Sequence, residues 1–156
     1  MSRIPRSALI LGLAGVLPFA FAAVLALAPA PQVGTQSYPL VHPKDASAIL
    51  SAYGTVILCF MSGVLWGFAA RGPEERATRG YILSVLPALY AFFTTTRHVF
   101  GSTSDESSIQ FLIGGFVGLL VLDFIFWRQG DAPDWWMSLR VLLTVLVVTC
   151  LFVGSS

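Results

Sequence analysis

Hydrophobic positions along the chain fall into five long runs that are separated by short polar breaks. Each run holds about 20 residues, the length of α-helix that crosses the hydrocarbon layer of a bilayer. The predicted spans cover residues 7–28, 46–70, 80–100, 109–127 and 135–153. We therefore expect an all-α membrane protein, with residues 1–156 forming a single integral-membrane domain built as a bundle of five transmembrane helices.

The first run resembles the apolar region of a secretory signal, because Arg3 and Arg6 precede it. Pro29 follows the small residues at its end, where proline is expected to block cleavage, so we predict a retained helix with a kink near Pro18. No Arg-rich and Ser-rich amphipathic segment precedes the run, which favours a bacterial inner (cytoplasmic) membrane over an organelle.

Cationic residues are distributed unequally between the two predicted sides of the membrane. Arg3, Arg6, Arg71, Arg76, Arg79 and Arg128 fall on the side of the amino terminus, and Lys44 and Arg97 on the other. Cytoplasmic loops of membrane proteins carry an excess of Lys and Arg. The pattern thus predicts an amino terminus inside and a carboxyl terminus outside.

Composition agrees with lipid as the main partner of the chain. With 56% hydrophobic residues, 11% charged residues and a mean hydropathy of +0.79, a small soluble domain could not bury its apolar surface. The net charge of +1 and the scattered basic residues argue against nucleic acid. We find no nucleotide-binding loop, metal-ligand cluster or nucleophile with a base, so we expect no enzyme, no cofactor and no metal. Cys59 and Cys150 are interpreted as small core residues.

Asp123 and Arg140 are the informative charged residues within the predicted spans, because Arg97 lies in the last turn of the third span and can reach the interface. A charge there costs at least about 3 kcal/mol even on a lenient insertion scale, so something must offset it. Both residues lie roughly 6 to 8 Å from the same end of neighbouring antiparallel helices, at 1.5 Å per residue. A structural salt bridge between them is one interpretation. Proton exchange or cation binding by Asp123 is a second, and contact of Arg140 with lipid phosphate is a third.

Small residues recur at the four-residue spacing that lets helices approach closely. They are Gly63 and Gly67 in the second span, with Trp66 beside them as a packing wedge, and Gly114 and Gly118 in the fourth span. This spacing suits packing within one bundle, and it equally suits a homo-oligomer or a membrane-protein partner.

Further residues occur in the second span and across the last hairpin in a characteristic order. They are Tyr53-Gly54, the segment 63–67, Asp123, the segment 133–136 and Leu139-Arg140. In these residues the chain resembles the transmembrane protein 69 family, a domain of unknown function found in bacteria and in an animal protein associated with mitochondria. The resemblance extends over nearly the whole chain. It implies a helical membrane fold and names no reaction, cofactor or substrate.

Three functions remain open from the sequence. The first is a structural, accessory or assembly component of a membrane complex. The second is a small transporter or proton-coupled carrier that uses Asp123. The third is a lipid- or quinone-binding membrane protein, for which the polar residues 94–97 at the outer end of the third span are the candidate pocket.

Overall fold

A computed structural model describes residues 3–29, 42–95 and 105–155 of the chain. In these ranges all regular structure is helical. The α-helices are α1 (Arg6–Ala14), α2 (Leu17–Ala26), α3 (Ala46–Arg71), α4 (Glu74–Thr95), α5 (Asp105–Arg128) and α6 (Trp136–Val153), and a short 3-10 turn (Pro43–Asp45) precedes α3. The predicted all-α class agrees with this description.

Four described segments are long and apolar enough to cross a membrane. They are residues 6–26, 43–71, 107–128 and 136–153, which match four of the five predicted spans within a few residues. The remaining predicted span corresponds to α4, which begins at Glu74, six residues before the predicted start. Its first turns carry Glu74, Glu75, Arg76 and Arg79, and acidic residues are favourable at a helix amino terminus. The polar start lengthens α4, and its crossing stays a prediction.

The first apolar segment is broken, as the proline in it predicts. Helix α1 ends at Ala14, and α2 begins at Leu17 with Pro18 at its second position. Proline lacks the N–H that would continue the helical hydrogen bonds. The Tyr53 hydroxyl donates to the carbonyl of Gly15 over 3.1 Å, and this contact attaches the break to α3.

The core lies where α2, α3 and α5 meet, with one face of α6 against them. Phe19 lies at its centre, with its ring 4.9 Å from Tyr53 and 6.0 Å from Phe116 in edge-to-face contacts. Leu58 and Leu112 are also fully buried there. Many large apolar side chains point outward instead, as expected for helices that are solvated by lipid.

A tight turn joins α5 to α6 and sets the two helices antiparallel. Gly130 has φ +79°, a left-handed conformation that glycine adopts readily. The N–H of Gly130 donates to Trp127, and that of Asp131 donates to Phe126, over 3.1 and 3.0 Å. These are the two bonds of a Schellman motif, so the sequence Arg128-Gln129-Gly130 ends α5 and reverses the chain.

Candidate functional site

The structure brings Asp123 and Arg140 together inside the α5–α6 hairpin. The Nε of Arg140 lies 2.6 Å from Oδ2 of Asp123, and the two side chains are 5% and 0% exposed. Asp123 precedes the end of α5 by about one and a half turns, and Arg140 follows the start of α6 by about one turn. The short turn between the helices therefore brings the two residues to the same depth.

Trp136 completes this cluster, a role that the sequence did not indicate. Its indole Nε1 donates to Oδ1 of Asp123 over 2.9 Å. The guanidinium carbon of Arg140 lies 5.9 Å from the centre of the same ring, within the range of a cation–π contact. Both carboxylate oxygens of Asp123 thus receive a donor from α6. We call Asp123, Trp136 and Arg140 the hairpin triad.

The triad keeps the carboxylate of Asp123 buried. Each oxygen has a charged or neutral N–H donor, and no part of the Asp123 side chain reaches the surface. A carrier carboxylate needs access to water or to an ion. The described arrangement is thus suited to fixing the rotation of α5 against α6.

A second polar contact joins the start of α4 to the α5–α6 turn at the same end of the bundle. Arg76 Nη1 donates to the carbonyl of Gln129 over 3.2 Å, and its Nη2 lies 3.8 Å from Asp131. Arg76 falls between the second and third predicted spans, whereas the structure places it in α4, where it links α4 to the α5–α6 turn. The helix ends that were predicted to lie inside therefore meet at one end of the structure.

The glycines predicted for helix packing lie mostly on outward faces. A methyl group at Gly63, Gly67 or Gly118 would meet nothing within 4 Å in the described chain. Gly114 approaches only the Tyr90 hydroxyl, at 3.3 Å. Trp66 is half exposed, and its ring packs on Tyr81 with centres 4.5 Å apart. Among the described residues, close packing inside the bundle is thus not seen at Gly63, Gly67 and Gly118, and at Gly114 it is limited to one contact with Tyr90.

Other glycines make the close contacts between helices. A Cβ at Gly54 would lie 2.9 Å from Leu112, and one at Gly80 would lie 2.8 Å from the Cβ of Ala69. At Gly115 it would lie 2.8 Å from Leu58. These glycines bring α3 against α4 and α5, and four-residue spacing did not indicate them.

The remaining candidate groups are dispersed. Within residues 3–29, 42–95 and 105–155 no three His, Cys, Asp or Glu side chains group as metal ligands would. Both cysteines are free, with Cys59 exposed and Cys150 partly buried. Thr94 donates to the carbonyls of Tyr90 and Ala91 in its own helix. The rest of the predicted outer pocket, which is the side chain of residue 95 and residues 96 and 97, lies outside what the structure describes.

Comparison with known proteins places these features in a family. Residues 4–155 match the family described as "Protein of unknown function (DUF3429)". The chain is also 34% identical over 153 residues to "Transmembrane protein 69" of Xenopus tropicalis, covering 97% of this chain and 54% of that protein. The chain belongs to the transmembrane protein 69 family. The resemblance noted from the sequence is thereby confirmed.

A second relative, "Transmembrane protein 69" of Mus musculus, is 26% identical over 143 residues, covering 91% of this chain and 52% of that protein. The chain therefore spans about half the length of the curated relatives that it matches. No solved structure matches the chain. Family membership and the apolar helices together identify a transmembrane protein.

Proposed function

We propose that the protein is a non-catalytic accessory or assembly component of a membrane-protein complex. The observation that carries this proposal is the outward face of α3, where Gly63 and Gly67 are exposed and no described residue lies within 4 Å of a Cβ added at either one. Cys59 is exposed one turn earlier in the same four-residue row. We call these three residues the α3 small-residue face.

A small-residue face suits another helix better than it suits lipid. Each glycine destabilises a helix by about 1 kcal/mol relative to alanine, and contact with lipid tails offsets little of this destabilisation. A second helix can approach closely where side chains are missing, and its dispersion contacts and weak backbone contacts then stabilise the pair. The exposed position of Gly63 and Gly67 thus supports a protein partner or a second copy of the chain.

The hairpin triad supports a structural role for Asp123 over a carrier role. Its carboxylate is fully buried and receives donors from Trp136 and Arg140. Ion pathways place such carboxylates at water-filled cavities. If the purified protein carries protons across liposome membranes and Asp123→Asn abolishes that flux, the accessory role must be replaced by the carrier role.

We further propose five crossings in a bacterial inner membrane, with the amino terminus inside. The contact of Arg76 with Gln129 and Asp131 supports this topology, because it joins two turns that the charge distribution assigns to the inner side. Helix α4 also runs back along α3, where the Ser62 hydroxyl donates to the carbonyl of Ser84.

Purification in a gentle detergent tests the complex. We expect the parent to elute as a complex, and the double variant Gly63→Leu/Gly67→Leu to lose the associated chain. Ala14→Leu is the matched control, since Ala14 is also exposed but lies on α1, away from this face. Identical elution of the parent, the double variant and the control would rule out the α3 small-residue face as the contact.

Cysteine labelling tests the topology in a Cys59→Ala/Cys150→Ala background. We expect an impermeant maleimide to label Ser155→Cys in intact spheroplasts, and Asp134→Cys only after permeabilisation. Asp134 is exposed at the predicted inner end and Ser155 lies beyond α6. Protection of Ser155→Cys in intact spheroplasts would contradict the proposed topology, because the carboxyl terminus would then lie inside, through either an even number of crossings or an amino terminus that lies outside.

A further inference from the structure

A cavity of about 130 Å³ lies beside the hairpin triad, between the first apolar segment and helices α3, α5 and α6. Phe19, Phe116 and Val147 line it and are buried. Leu11 and Phe60 also line it and are exposed, so the cavity opens sideways, at the surface of the bundle that runs parallel to the helices. In a membrane that opening faces lipid.

Two buried polar atoms of α6 lie at this apolar cavity without a hydrogen-bond partner in the described chain. They are Nη2 of Arg140 and Oγ1 of Thr144, and both residues line the cavity. The residues are 4% and 5% exposed, so bulk water does not reach them. They are four positions apart and therefore lie on one face of the helix. An acceptor atom between them would receive a hydrogen bond from both donors. A buried donor that forms no hydrogen bond destabilises the folded protein.

The charge of the site favours a neutral acceptor. Asp123 already balances the charge of Arg140 at 2.6 Å. A second carboxylate or a phosphate would leave an excess negative charge in a buried site, which is strongly unfavourable. A carbonyl oxygen accepts the same hydrogen bonds without adding a charge.

The depth of the two donors favours a carbonyl that is not attached to a headgroup. Arg140 and Thr144 follow Trp136 by four and eight residues, which is roughly 6 and 12 Å along α6. The ester carbonyls of a phospholipid are tethered to a phosphate that remains at the interface. A carbonyl on an uncharged ring can reach the deeper position.

The size of the cavity agrees with a single ring. Benzene occupies an apolar protein cavity of about 150 Å³, close to the volume found here. We propose that this cavity binds the ring of a lipid-soluble quinone, with one carbonyl oxygen accepting from Arg140 and Thr144. The alkyl tail leaves past Leu11 and Phe60 into the lipid. This site lies at the inner end of the bundle, and its occupancy does not depend on the accessory role.

Native mass spectrometry of the detergent-purified full chain, titrated with 2-decyl-1,4-benzoquinone, tests the proposal, because a ring without further substituents matches the cavity of about 130 Å³. We expect one quinone per chain with saturation. Thr144→Val keeps the shape of the side chain but removes its hydroxyl, and should weaken binding by about five- to tenfold, the value of one hydrogen bond. Thr144→Ser restores a hydroxyl and should restore binding. Equal affinity of the parent and Thr144→Val would overturn the proposal.

Two matched variants on α1 test the opening of the cavity. Leu11→Trp fills the mouth and should abolish binding, whereas Ile10→Trp adds the same ring at a neighbouring exposed position that does not line the cavity and should leave binding unchanged. Both positions are exposed, so neither change disturbs the core. Equal effects of the two variants would overturn the proposal. The absence of saturable quinone binding, which is the result expected for a site that holds only water, would also overturn the proposal. Displacement of the quinone by oleate or by dioleoyl phosphatidylglycerol would overturn it as well.

Discussion

Replacing Asp123 by asparagine tests whether the hairpin triad holds α5 and α6 together. Asparagine has nearly the shape of aspartate but no charge, so the Arg140 guanidinium would stay buried without its counter-ion. Removing one partner of a buried ion pair costs about 3–5 kcal/mol, and an unpaired Arg within a span costs about 3 kcal/mol on insertion scales. The new amide can still accept from one neighbour. We therefore expect the free energy of unfolding to fall by about 3 kcal/mol, the lower end of that range.

The double variant Asp123→Leu/Arg140→Met separates charge from packing. With both charges removed, only the indole N–H of Trp136 loses its acceptor, which costs about 1 kcal/mol. The double variant should thus be more stable than Asp123→Asn. Reversible unfolding by sodium dodecyl sulfate in mixed micelles, followed by circular dichroism, measures both. A loss below about 1 kcal/mol for Asp123→Asn, or a double variant no more stable than the single one, would refute a charge-based role of the triad.

Four smaller changes can be measured in the same unfolding assay. Gly80→Ala places a Cβ 2.8 Å from that of Ala69 and should lower the free energy of unfolding by about 1–3 kcal/mol. Gly63→Ala adds a Cβ with no described atom within 4 Å, so it should be neutral or stabilising by up to about 1 kcal/mol. Equal effects of the two variants would contradict the packing described for α4. Gly130→Ala forces an alanine to φ +79° and should lower the free energy of unfolding by about 1–2 kcal/mol. Tyr53→Phe removes the donor to the Gly15 carbonyl and should cost about 0.5–1.5 kcal/mol, with faster amide exchange at the α1–α2 break as a second readout.

The sequence identified the Asp123–Arg140 contact because charges stand out in an apolar run. A charge within lipid requires a partner, and residue counting from the ends of two antiparallel helices placed both charges at one depth. The sequence singled out Trp136 only as part of the segment 133–136, through the family resemblance. Its position four residues before Arg140 puts both side chains on one face of α6, and that spacing was the available signal.

The glycine contacts could not be predicted in the same way. Spacing alone selected Gly63, Gly67, Gly114 and Gly118, yet the structure places them outward or against a single hydroxyl. In a soluble protein the polar face of a helix shows which side points outward. A spanning helix is apolar on all sides, so its sequence does not show which side meets a neighbour. Gly115 directly follows Gly114. Its packing role depends on the rotation of α5 about its own axis, which only the structure shows.

Polar contacts supply that missing information in this fold. Lipid offers no hydrophobic force that would choose one rotation of an apolar helix over another, whereas a hydrogen bond between two helices has one register. Among the described residues, each pair of helical segments that are consecutive in the chain has such a contact, when α1 and α2 are counted as one segment. Tyr53 links the α1–α2 break to α3, Ser62 links α3 to α4, Tyr90 donates to the carbonyl of Phe111 to link α4 to α5, and Asp123 links α5 to α6. Because each contact fixes one pair, removing one should release the rotation of that pair while the other helices keep their positions.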